Sequence, residues 1–116
     1  MLMPTASFIE IDGVRTRYFE AGEGPNLALF HGGNMGSGNL AECAEDWDLN
    51  FAGLAQQCHV VAIDKLGQGY TDNPLFNSDF TMDATIRHTK AFLTAMDLNN
   101  VHIAGHSRGG YLVCRL

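Results

Sequence analysis

A chain of 116 residues, 46% hydrophobic and 17% charged, is long enough for one domain and too apolar to be disordered. Its formal net charge of −6, from 13 acidic and 7 basic residues, argues against nucleic acid or an anionic membrane as a partner. No stretch approaches the roughly 20 apolar residues of a membrane span, and residues 1–7 show no signal peptide, so a cytoplasmic location is expected.

Residues 8–11 alternate in polarity and end at Asp12-Gly13, a turn signal. Residues 14–20 alternate again, with Val14, Thr16 and Tyr18 on one face and Arg15, Arg17 and Phe19 on the other, which predicts an antiparallel hairpin. Residues 27–30 form a continuous apolar run, the pattern of a parallel strand buried on both faces. That run leads into a glycine-dense loop over 31–38, suited to close backbone approach.

Trp47, Phe51, Leu54, Ala55 and Cys58 mark one apolar face of a helix. Residues 59–64 are a second buried strand, broken by Gly67-Gln68-Gly69 and followed by an Asp72-Asn73-Pro74 turn. The spacing of Met82, Ile86, Leu93 and Met96 predicts a core-facing helix over 81–98, capped by Ser78 or Asp79 and closed by Asn99-Asn100. Residues 101–105 are a third buried strand, and 108–116 open another helix. A hairpin followed by β-α-β-α-β-α is an α/β layout with a parallel sheet.

Cys43, Cys58 and Cys114 form neither a C-x-x-C pair nor a ligand spacing, so they read as small packing residues in a reducing compartment. The Asp, Glu and His residues show no metal-ligand spacing either, and neither a metal nor an organic cofactor is implied.

Gly105-His106-Ser107-Arg108-Gly109 matches G-x-S-x-G, after a buried strand and before a helix. A nucleophilic serine there needs a strained strand-to-helix turn, and Gly105 and Gly109 leave room for it. The His31-Gly32-Gly33 loop also follows a buried strand, so both lie at the carboxyl edge of the sheet, where ligands bind in open α/β folds. An acyl-transfer serine needs donors for the developing oxyanion. The backbone N–H of Arg108 is one candidate, and that of Gly33 or Asn34 the other.

At these residues the sequence resembles the α/β-hydrolase superfamily over nearly the whole chain. In that family a D-x-x-G-x-G-x-[ST] segment follows the fourth strand and braces the site; residues 64–71 match it, with Leu66 where many members carry arginine or proline. The HGG loop, DKLGQGYTDNP and GHSRGG together look most similar to the carbon–carbon bond hydrolases that act on meta-cleavage products of aromatic degradation. Esterases, lipases and haloperoxidase-like members share much of the pattern. Epoxide hydrolases and haloalkane dehalogenases carry aspartate where Ser107 stands.

The resemblance implies a serine-nucleophile hydrolase of a small ester or carbon–carbon/carbonyl substrate, represented over 1–116 by one partial domain without the C-terminal strands and cap. The alternatives are a non-catalytic ligand-binding protein of the same fold and a truncated, inactive product.

In the family the triad runs Ser, then Asp or Glu, then His. Residues 108–116 contain neither an acid nor a histidine. Among the earlier histidines, His59 and His102 start strands, about 15 Å from the carboxyl edge for a five-residue strand. His88 falls mid-helix on an expected solvated face, and His106 adjoins the serine but points to the other side of the turn. His31 is expected to prop the oxyanion loop, alongside Gly32. Without a base the serine hydroxyl is a weak nucleophile, so the 116-residue polypeptide is expected to show little ester turnover. It is also expected to be poorly soluble or to self-associate, through an unpaired strand edge at 101–105 and the partly covered apolar face of Tyr111, Leu112 and Leu116, and a monodisperse monomer in sedimentation would contradict that.

Overall fold

The computed structural model describes residues 3–37 and 41–116, so Gly38 of the glycine-rich loop lies outside the described residues. Strands β1 (Ser7–Ile11) and β2 (Val14–Ala21) form the hairpin, pairing antiparallel from Ser7↔Tyr18 to Ile11↔Val14. Its reversal falls on Asp12 and Gly13, at φ of 48° and 83°, the left-handed pair that a two-residue hairpin turn requires.

The apolar runs become β3 (Asn26–Phe30), β4 (His59–Ile63) and β5 (His102–Gly105), the last not buried as expected but exposed at His102 and half-buried over the rest, because it pairs on one side only. β3 pairs parallel with β4 on one side and β5 on the other, and β2 joins β4 antiparallel, giving the order β1-β2-β4-β3-β5. Alternate residues of the central strands feed two cores. Ala28, Phe30, Val61 and Ile63 pack with Phe92 and Leu112 on one face. Leu29, Val60 and Ala62 pack with Phe19, Ala44 and Phe51 on the other.

Among the described residues three α-helices cover the sheet: α1 (Asp48–Leu54), α2 (Met82–Ala95) and α3 (Arg108–Arg115). α1 lies on one face and α2 and α3 on the other. The helical face read from Trp47 to Cys58 is divided. Ala44–Trp47 is a 3-10 turn, and beyond Leu54 the N–H groups of Gln56 and Gln57 bond only three residues back, so the regular α-helix stops at Leu54.

α2 is capped by Thr81, not by Ser78 or Asp79: the Thr81 hydroxyl accepts from the Ala84 N–H at 3.1 Å. Ser78 and Asp79 belong to a separate 3-10 turn (Asn77–Asp79), and Asp79 accepts from Arg87 instead. The helix stops at Ala95, where Asp97 enters the left-handed region (φ 53°) and Leu98 N–H reaches back to Leu93 C=O at 3.1 Å. Leu98 is thereby turned into the core at 8% exposure. Cys114 is exposed on α3 and is no packing residue, whereas Cys43 and Cys58 are half-buried. No helix among the described residues is long and apolar enough to cross a membrane.

His88 is buried at 6% exposure, against the solvated face expected for it, because α2 lays that face on β2. Thr16 Oγ1 donates to Val14 C=O at 3.0 Å, which leaves its oxygen to accept from His88 Nε2–H at 2.9 Å. Burial lowers the His88 pKa from 6.5 to about 4, with Asp12 opposing the shift. A depressed folded-state value means the unfolded chain binds the proton first as pH falls. Stability is therefore full above about 6.5 and is lost as pH falls toward about 4, by at most ~3 kcal/mol from this residue. His88→Gln keeps a donor for Thr16 and removes the titration. Urea unfolding is expected to show a smaller stability loss between neutral pH and about 4.5 in this variant than in the parent; equal losses would refute the assignment.

Candidate active site

The chain leaves β3 toward α1 on one face and leaves β5 toward α3 on the other. Adjacent strands whose connections diverge open a crevice at their carboxyl ends, here between Phe30-His31 and Gly105-His106. Both sequence motifs meet there. A β-carbon built on Gly32 would lie 3.2 Å from Ser107 Cβ and 3.2 Å from the His106 carbonyl oxygen.

Ser107 has φ 56° and ψ −118°, outside the regions that L-residues ordinarily populate. Its neighbours make that turn possible. A side chain at Gly105 would meet the Gly109 carbonyl oxygen at 2.2 Å, and one at Gly109 would meet the Phe30 carbonyl oxygen at 2.2 Å. The turn is tied down by His106 N–H to Phe30 C=O (3.1 Å) and Gly109 N–H to His106 C=O (2.9 Å). Ser107 is exposed, and Arg108 opens α3, where helix N–H groups have no intrahelical acceptor.

His31 is fully buried. Its Nε2 accepts from the Lys65 N–H at 3.0 Å, so Nδ1 carries the proton and donates to the Gly32 carbonyl at 2.7 Å. Burial lowers its pKa to about 4, so the ring is neutral and both nitrogens are occupied. It is a strut between the loops after β3 and β4 and has no lone pair free to act as a base. Gly33 at φ 80° completes the loop.

The brace expected at residues 64–71 is present as a hub beneath this loop, and what the sequence did not show is its partner, Arg17. The Asp64 carboxylate is wholly buried and accepts from Arg17 Nε (2.7 Å), Arg17 Nη2 (3.2 Å), Ala44 N–H (2.7 Å) and Tyr70 N–H (2.8 Å). Arg17, 6% exposed, also pairs with Glu45 and lies over the Tyr70 ring at 4.6 Å. Burial pulls the Arg17 pKa down, and its hydrogen bonds to Asp64 and Glu45 more than offset this, so it stays charged. Burial pushes the Glu45 carboxyl up, and its hydrogen bonds with Arg17 and Cys43 more than offset this, holding it below the usual carboxylate range. Thr71 closes the segment, donating to Asp64 C=O at 2.8 Å and accepting from Arg17 N–H at 3.0 Å. Gly69, at φ 56°, is required: a β-carbon there would lie 2.3 Å from Asp64 Oδ2. Leu66 is buried beside Val14 and Ala84.

A groove of about 830 Å³ opens beside Gly105 and His106, walled by Glu42, Glu45, Asp46 and Trp47. His106 is exposed and faces this groove. His59 bonds Glu20 and Asn26 at the start of β4, at 2.9 Å each, and His102 is exposed at the start of β5. Among the described residues, two triads of possible metal ligands have donor atoms within 4.8 Å of one another: His31, Glu42, Asp46 and Cys43, Glu45, Asp64. In the first the His31 nitrogens are already bonded; in the second Asp64 is committed to Arg17 and the Cys43 thiol is pushed up to about 11 by burial.

Residues 25–116 match the family model described as the alpha/beta hydrolase fold. The chain is 40% identical over 104 residues to 2-hydroxy-6-oxo-6-(2'-aminophenyl)hexa-2,4-dienoic acid hydrolase of Metapseudomonas resinovorans, covering 89% of this chain and 34% of that protein. It is 30% identical over 104 residues to 2-hydroxymuconate semialdehyde hydrolase of Pseudomonas sp. (strain CF600), covering 90% and 35%. It thus spans about a third of the length of these relatives. Epoxide hydrolase VrEH1 of Vigna radiata superposes with a TM-score of 0.80 at 23% identity, covering 94% of this chain and 33% of that one, a likeness of fold.

Removing Arg17 would leave Asp64 as a buried carboxylate without its counter-charge. Arg17→Met is expected to destabilise the fold by about 3–5 kcal/mol in urea unfolding. A loss under about 1 kcal/mol, the range of exposed pairs, would show that the pair is not the hub described.

Proposed function

This chain belongs to the alpha/beta hydrolase fold family, and on that premise we propose that it is a serine-nucleophile hydrolase with Ser107 as the attacking residue. The observation that carries the reading is the φ of 56° at Ser107, between two glycines whose backbones leave no room for a side chain. A strained residue persists only where its surroundings over-determine it, and such residues cluster at active sites. The reaction begins as Ser107 Oγ adds to a carbonyl carbon while its proton passes to a general base. The Arg108 N–H and the Gly33 or Asn34 N–H receive the charge that develops on the carbonyl oxygen. Collapse breaks the bond to the leaving group, which takes up a proton, and water releases the acyl group from Ser107.

The relatives named for oxo-dienoic acid and semialdehyde substrates favour a small molecule in which the bond cleaved adjoins a carbonyl. An ester offers the same electrophile. No histidine in these 116 residues qualifies as the base, so the proposal assigns that role, and its orienting acid, to residues beyond them.

The decisive test is to read the coding sequence past the codon for Leu116. An in-frame continuation carrying an acid and then a histidine supports the reading, and in the full-length protein a fluorophosphonate should label Ser107 while Ser107→Ala abolishes both labelling and turnover. A stop codon at that point would overturn the catalytic reading and favour a ligand-binding role.

A further inference from the structure

Lys65 is 1% exposed, an unusual burial for an ammonium. Its backbone N–H holds His31, and its Nζ donates to the Gly33 carbonyl at 2.8 Å. One residue back, the Gly32 carbonyl is held from two sides, by His31 Nδ1–H at 2.7 Å and Gln68 Nε2 at 3.3 Å. Both carbonyls of the Gly32-Gly33 pair are therefore pinned toward the loop after β4.

A peptide group is planar and trans, so its C=O and N–H point in opposite directions. Pinning the Gly32 carbonyl fixes the direction of the Gly33 N–H, and pinning the Gly33 carbonyl fixes that of the Asn34 N–H. Neither of these two N–H groups has an acceptor among the described residues. Gly32 meanwhile packs against Ser107, which brings the pinned peptides beside the elbow.

We propose that Lys65 is a positioning residue: by clamping the Gly33 carbonyl it aims the Asn34 N–H as an oxyanion donor, while Gln68 and His31 aim the Gly33 N–H. The clamp is a statement about geometry; only its effect on rate rests on the reading of Ser107 as nucleophile. Lysine suits this task because the clamp is charge-assisted and its flexible stem lets the ammonium follow the carbonyl. The cost is desolvation: burial lowers the Lys65 pKa to about 8, with Glu42 raising it and Arg108 lowering it further. Glu42 comes from the segment after the loop and Arg108 from α3.

The lowered value supplies an activity-free readout. Carbon-detected NMR of the full chain would follow the Gly33 carbonyl carbon and the Asn34 nitrogen, which share one peptide, through pH of about 8. Both should titrate together with that midpoint, and Lys65→Met should abolish the titration. A wild-type Gly33 carbonyl that does not titrate, or one that titrates unchanged in the variant, overturns the clamp. If Lys65→Met fails to fold, the wild-type titration alone decides.

Fluorophosphonate labelling of Ser107 is the second readout. Lys65→Met should slow it at least about tenfold, and Lys65→Arg, which keeps a charged donor, should recover part of the rate. Unchanged labelling with a lost titration would overturn the role in aiming the donor. If the wild-type protein is not labelled at all, the nucleophile reading fails and the clamp stands or falls on the NMR.

Discussion

A carboxylate with no access to water must be fully hydrogen-bonded or the fold loses several kcal/mol, and the Asp64 side chain sets that requirement at the centre of this structure. Meeting it draws together parts of the chain far apart in sequence. Arg17 comes from the hairpin, the Ala44 N–H from the 3-10 turn after the glycine loop, and the Tyr70 N–H from the segment after β4. The hub fixes where β4 releases the chain, and Lys65, the next residue, reaches both the side chain of His31 and the carbonyl of Gly33. The hub is thus one residue removed from the loop after β3. Changes at Asp64 or Arg17 should be felt there without either residue touching a substrate.

The strand order completes the arrangement. β3 sits between β4 and β5, so the loop it releases is flanked by the Asp64 segment on one side and the serine turn on the other. Opposite exits from β3 and β5 keep the crevice between them open. A sheet with these strands in a different order would contain the same motifs and separate them.

Much of this was legible in the sequence because its signals are local. Asp12-Gly13 marks a reversal whatever surrounds it, continuous apolar runs mark buried strands, and the glycines around Ser107 report a close approach. What escaped were pairings decided in three dimensions. Arg17 has the alternation of a solvated strand residue, and only the arrival of Asp64 from 47 positions away makes it a core residue. His88 reads as a polar interruption of a helix until Thr16 is found 72 positions away with a lone pair to offer. Ser78 and Asp79 are better cap residues by composition than by position, and the hydroxyl at Thr81 had the geometry. Lys65 carries no local mark at all, since its work is done on a peptide plane that belongs to another loop.

The same distinction separates what this stretch of chain holds from what it does not. The turn at Ser107 and the Gly32-Gly33 loop are held through backbone, on peptide planes anchored at the ends of β3, β4 and β5, all of which lie within these residues. A general base is built from a side chain that must reach the serine hydroxyl with a free lone pair. His31 has none to give, because both nitrogens are spent holding the loops in register. The hydrogen bonds by which His31 organises the loop after β3 therefore bar it from accepting a proton.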